Sequence, residues 1–152
     1  MDRTLIENWN NVVTHNDDVY ILGDMFWVKS GEAIEILKKL NGRKHLIKGN
    51  HDRIHDNVYQ RYFVEITHYK EIIVSGMDIV LCHYPILCYK NKDYDWIHLY
   101  GHVHMSRDYE PLNQAIEIMK KVAPIHMYNV GCMMPYMNYT PRTIEEILAA
   151  NC

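Results

Sequence analysis

Residues 45–52 read HLIKGNHD. His45-Leu46-Ile47 is a short β-prone run that stops at Gly49-Asn50-His51-Asp52. A glycine lets the backbone turn sharply and come close to a ligand. An amide oxygen, an imidazole and a carboxylate then follow in consecutive positions. Taken alone, the stretch reads equally well as a polar turn with helix-cap character. The rest of the chain decides between the two, because it repeats the arrangement.

Val19 to Leu22 is a second β-prone run, and it ends at Gly23-Asp24. Ile79 to His83 is a third, ending at Cys82-His83-Tyr84-Pro85. Ile97 to Leu99 leads into Gly101-His102-Val103-His104. Each piece has a plain reading: a turn Asp, a hydrogen-bonded structural His, a coincidental His pair. In an extended segment residues i and i+2 point to one side, so His102 and His104 are expected to face one place. The runs alternate with amphipathic helices expected over 2–14, 30–40, 113–122 and 140–150. Ser30 serves as one expected cap, and Thr140 before Pro141 as another. Lys70 to Val74 and Ile79 to His83 flank Ser75-Gly76-Met77-Asp78 as a β-hairpin. The order α-β-α-β-β-β-β-α-β-α predicts an α/β fold, with sheets covered by helices and polar groups gathered at strand ends.

The chain has 152 residues, 48% hydrophobic and 23% charged, which predicts one domain over 1–152 and excludes disorder as the main state. A net charge of −3 argues against sequence-blind binding to nucleic acid. No apolar run approaches the ~20 residues of a membrane span. Residues 1–15 show no basic start followed by an apolar core, and the four cysteines form no CxxC pair. A cytoplasmic location is therefore expected. Ten histidines are far above ordinary usage, and histidine is the commonest metal ligand.

Together, Gly23-Asp24, Gly49 to Asp52, His83 and Gly101 to His104 resemble, in order, the motifs of the calcineurin-like metallophosphoesterase family. Asn129-Val130-Gly131-Cys132 is similar to the segment following the last metal motif in bacterial and phage-type members. The resemblance implies a layered sandwich with helices outside two mixed β-sheets. It implies metal-dependent hydrolysis of a phosphomonoester or phosphodiester by a metal-bound hydroxide. Asp24 would bridge two ions. Asn50, His83 and His102 would complete one site, and His104 would belong to the other. His51 would be the general acid, and Asp52 would hold its tautomer and orientation. The mixed N/O donor set suits Mn²⁺, Fe or Zn²⁺ better than Mg²⁺ or Ca²⁺. Arg53 and Arg107 follow metal motifs closely and are candidates to meet phosphate oxygens; solvent-facing arginine is an equal reading. Tyr84 and Tyr89 lie near the His83 motif and are expected to line a pocket.

The chain departs from the family pattern at one point. The family opens with a strand carrying Asp-x-His, and no Asp-x-His occurs here. The expectation is a domain lacking its N-terminal strand, with the His104 site reduced to Asp24 and His104. Unpaired strand edges would then invite homo-oligomerisation. The expected partner is a small phosphorylated substrate such as a nucleotide. The alternative is a catalytically incomplete interaction protein on the same fold.

Overall fold

The computed structural model describes residues 3–52, 57–104 and 107–151. Helix α1 (Arg3–Val12) leads into β1 (Asp18–Ile21), α2 (Ser30–Leu37), β2 (Arg43–Ile47), α3 (Asn57–Gln60) and β3 (Glu65–Thr67). Then come β4 (Tyr69–Val74), β5 (Met77–Cys82), a 3₁₀ turn over Lys92–Tyr94, β6 (Ile97–Tyr100), α4 (Tyr109–Lys120), β7 (His126–Asn129) and α5 (Ile144–Ala150). The strands form a three-stranded sheet, β1-β2-β3, and a four-stranded sheet, β4-β5-β6-β7.

Side-chain alternation explains the layering. Ile79 and Leu81 of β5 and Ile97 and Leu99 of β6 enter one core with Ile47, Met134, Met137, Ile144 and Ile147. Tyr20 and Leu22 pack against it, so this core takes residues from both sheets. The intervening residues Val80 and Tyr100 turn to the opposite face and meet Ile116, Ile125 and Met127 under α4. Leu46 likewise faces away from Ile47 and meets Ala33, Ile36 and Leu37 of α2. Period-2 alternation thus gives each sheet an inner face and a helix-covered outer face.

The architecture is α/β with two sheets and outer helices, as expected, but details differ. The three-stranded sheet is wholly parallel; only the β4–β5 pair makes the other sheet mixed. Strand β3 and helix α3 were not expected. The hairpin turn is two residues, Ser75 and Gly76, with φ of 53° and 79°. Positive φ at both positions matches the right-handed strand twist, and Met77 and Asp78 remain in the strand. Ser30 lies inside α2, whose N-cap is Lys29. Helix α5 starts after Thr143, not Thr140. Thr143 and Glu146 form a reciprocal capping box that satisfies two backbone donors at once. No helix of the described residues is long and apolar enough to cross a membrane.

Candidate metal centre

Five polar positions lie just past or at the C-terminal ends of β1, β2, β5, β6 and β7: Asp24, Asn50, His83, His102 and Asn129. Parallel strands deliver their ends to one side of a sheet, where loops converge. Three glycines let these loops touch. A Cβ at Gly23 would overlap the His83 ring and sit 2.6 Å from the Gly49 nitrogen. One at Gly49 would overlap the Asp24 carboxylate, and one at Gly101 would lie 2.9 Å from the Leu22 carbonyl oxygen. The glycines of the motifs are therefore contact surfaces between loops.

His83 is the centre of the arrangement and is fully buried. Its Nδ1–H donates to the Leu22 carbonyl at 2.7 Å. In the neutral ring that bond leaves the Nε2 lone pair free to bind a cation. Nε2 lies 3.2 Å from Asn50 Oδ1, 3.1 Å from His102 Nδ1 and 3.4 Å from Asp24 Oδ2. Burial and the neighbouring His83 pull the His102 pKa down, which favours its neutral ring. Atoms of metal-ligating type from four residues thus meet at His83 Nε2.

The spacing can be compared with what a bound cation would need. At a metal–ligand distance of about 2.1 Å, adjacent ligands stand about 3.0 Å apart in octahedral and about 3.4 Å apart in tetrahedral geometry. The three separations from His83 Nε2 fall in or near that range. Asp24, His83 and His102 also form a group of potential ligands within 4.8 Å of one another. The residues present fit a divalent transition ion.

The structure brings together Asp24, Asn50, His83 and His102, and treats the other candidates differently. His104 is exposed and outside the group. The i, i+2 argument fails because the segment is not extended. His102 has φ of 62°, and Val103 N–H donates to the Gly101 carbonyl at 2.7 Å, closing a three-residue turn. His51 is exposed, and its ring lies tilted by 34° against Trp27 with centroids 4.2 Å apart. Its backbone N–H donates to Asp24 Oδ1 at 2.8 Å.

Asp52 does not serve the His51 ring. Its buried carboxylate accepts from the backbone N–H groups of Asp24 (2.8 Å), Gly49 (2.8 Å) and Met25 (3.1 Å). It clamps the first two motif loops together. Arg107 points into solvent, 93% exposed, beside Asp108. Arg53 lies outside the described residues. Tyr84 packs edge-on against both His83 and His102, but Tyr89 is core. Its hydroxyl donates to the Trp96 carbonyl and accepts from His126 N–H.

Two contributors were given no role by sequence reasoning, although Asn129 stands in the motif-like segment 129–132. Asn129 is buried and donates to the Val103 carbonyl at 2.6 Å, while its Oδ1 accepts from Gly131 N–H. It steadies the loop that carries His102; a polar residue closing the 125–130 strand was the available signal. Trp27 is 71% exposed beside His51, and its position three residues after Asp24 was the only hint. Among the remaining histidines, His98 is a buried structural residue. Its Nδ1–H donates to the Val80 carbonyl and its Nε2 accepts from Ile86 N–H.

No family model matches the sequence. Over 106 residues the chain is 37% identical to the uncharacterized protein MJ1445 of Methanocaldococcus jannaschii, taking in 68% of this chain and 53% of that protein. The chain thus spans about half the length of the curated relative it matches. Among solved structures, the protein of unknown function AQ665 from Aquifex aeolicus is similar with a TM-score of 0.70 at 28% identity. That match covers 97% of this chain and 83% of that one. The likeness supports the two-sheet α/β architecture, and neither name carries an activity.

Proposed function

We propose that this chain is a metal-dependent phosphoesterase of the calcineurin-like type, acting on a small phosphate ester. One observation carries the reading: the convergence of Asp24, Asn50, His83 and His102 around the lone pair of His83 Nε2. Asp24, Asn50, His83 and His102 would hold an ion such as Mn²⁺, Fe or Zn²⁺. A bound ion polarises a phosphoryl oxygen and lowers the pKa of water.

The chain's own groups supply the rest. His51 presents an exposed imidazole beside the cluster, placed to give a proton to the leaving oxygen. Its ring is held by Trp27 and its backbone by Asp24. Asp52 keeps both loops in register through the backbone N–H groups it accepts. Tyr84 flanks His102 and His83, limiting how far either ring can turn. The second ion that the resemblance implies would have Asp24 and His104 from this chain.

The test is hydrolysis of bis(4-nitrophenyl) phosphate and 4-nitrophenyl phosphate by the Mn²⁺-loaded protein. Turnover that disappears in His83→Ala, and falls in His51→Ala with metal affinity intact, supports the reading. Absence of turnover with Mn²⁺, Fe²⁺ and Zn²⁺ refutes it. A second reading, an interaction protein without catalysis, draws on the position of His104 outside the ligand group. Retained metal binding with no hydrolysis would favour it.

A further inference from the structure

We propose that the cavity beside His51 is a leaving-group slot that receives the planar base of a nucleotide, with Trp27 as its stacking wall. The inference rests on the phosphoesterase reading for the reaction next door, and its own claim concerns the ligand. The cavity measures about 360 Å³ and is lined by Phe26, Trp27, Lys29, Ser30, His51 and Tyr59 among others. That volume lies within the range of small-molecule sites.

Trp27 is the unusual wall. An indole left largely in water forgoes one of the largest burial gains of any side chain. His51 covers part of one face, and the remainder stays open. Phe26 and Tyr59 are buried behind the cavity and meet edge to face, which makes a firm apolar floor. Lys29 and Ser30 add a cation and a hydroxyl at the rim.

This mixture suits a heteroaromatic ring. A nucleobase offers a π-face to Trp27 and ring acceptors to Lys29 and Ser30. A plain alkyl group or a phenyl ring could pack on the indole but would offer no acceptor to Lys29 or Ser30. The slot also adjoins the ligand cluster, because His51 lines the cavity while its N–H donates to Asp24. A phosphate at the cluster and a base on Trp27 would thus lie on either side of His51.

The experiment is calorimetric titration of the Mn²⁺-loaded protein with adenosine 5′-monophosphate and ribose 5-phosphate. It is run on the unmodified chain, Trp27→Leu and Trp27→Phe. The expected result is a preference of about tenfold for the nucleotide, the scale of one base–aromatic stack. Trp27→Leu should erase that margin and leave ribose 5-phosphate affinity unchanged; Trp27→Phe should keep part of it. Equal affinities in the unmodified chain, or a margin that survives Trp27→Leu, overturn the slot. A preserved margin without hydrolysis of any phosphate ester refutes the phosphoesterase reading and leaves the slot standing. Hydrolysis without a margin does the reverse.

Discussion

Replacing Asp52 by asparagine separates two roles that adjacency to His51 would otherwise merge. A carboxylate that orients His51 matters to proton transfer alone. A carboxylate that clamps loops matters to stability and to the ligand cluster. The structure supports the second role, because three backbone N–H groups end on Asp52. Asparagine can place its oxygen where Oδ2 accepts from Asp24 and Gly49. Its amide nitrogen then faces the Met25 N–H, donor against donor.

One bond to a charged acceptor is lost, worth about 1.5–3 kcal/mol, and two others fall from charged to neutral strength. The sum is about 3 kcal/mol. For a chain of this length that lowers Tm by about 6–12 °C. Because the clamp positions Asp24, Mn²⁺ affinity should fall by about 10–100-fold, the usual scale for an outer-shell support. Thermal denaturation followed by circular dichroism, with calorimetric Mn²⁺ titration, measures both. His51→Asn should move neither. An Asp52→Asn protein with unchanged Tm and Mn²⁺ affinity, deficient in turnover alone, would refute the clamp.

Glycines give a paired test. Gly23→Ala forces a side chain at φ of 79° into backbone and ring atoms, so the folded, metal-binding state should be lost in circular dichroism and Mn²⁺ titration. Gly31→Ala, inside α2 with nothing within 4 Å, should instead stabilise by about 0.5–1 kcal/mol in urea denaturation. In Mn²⁺ calorimetry, His83→Ala and His102→Ala should abolish tight binding of the first ion, and His104→Ala should preserve it. Burial pulls the His98 pKa down from its ordinary value. Its contribution is then full above about pH 6.5 and declines as pH falls below that, because the unfolded chain takes the proton first. Tm should drop between pH 7 and 5, with a shallower slope in His98→Asn. Asp18 and Glu65 have lowered carboxylate pKa values, chiefly through Arg43 and Lys70 respectively, with His45 contributing to both. Their contribution is present above about pH 4 and lost on further acidification, an effect that Asp18→Asn should reduce.

The strands that carry the site were legible because each is a short apolar run ended by a polar residue. Strand β3 was not: Glu65–Thr67 is only three residues long and β4 begins two positions later, so the brief Val64-Glu65-Ile66-Thr67 alternation is too short to mark a separate strand. The start of α5 was misplaced because Thr-Pro at 140–141 imitates a helix start. The T-x-x-E pattern at 143–146 makes two bonds that the other site lacks. Asn50 and His83 were placed by motif order, which survives folding. The partners of Asp52 were hidden, because backbone donors leave no mark in a sequence. The His102–His104 pair misled for the same reason. Spacing predicts convergence only if the backbone is extended, and a left-handed residue at 102 is invisible until the loop is built.

That left-handed residue bears on function. Asp24 and His102 hold φ of 52° and 62° without being glycine, at a cost of about 1–2 kcal/mol each. A turn with no other task would be more stable with glycine at both positions. Here each such residue places a potential ligand atom near His83 Nε2. Each is also held by a dedicated buried support, Asp52 for the loop of Asp24 and Asn129 for the loop of His102. The fold therefore accepts left-handed backbone at two positions that bring potential ligand atoms beside His83 Nε2. Ser75, Asn91, Asp95, Asn138 and Tyr139 also hold positive φ without belonging to the cluster, so the backbone conformation alone does not mark a ligand. What separates Asp24 and His102 from those turns is that both meet Asn50 at one buried imidazole nitrogen, the convergence that the proposed cation would use.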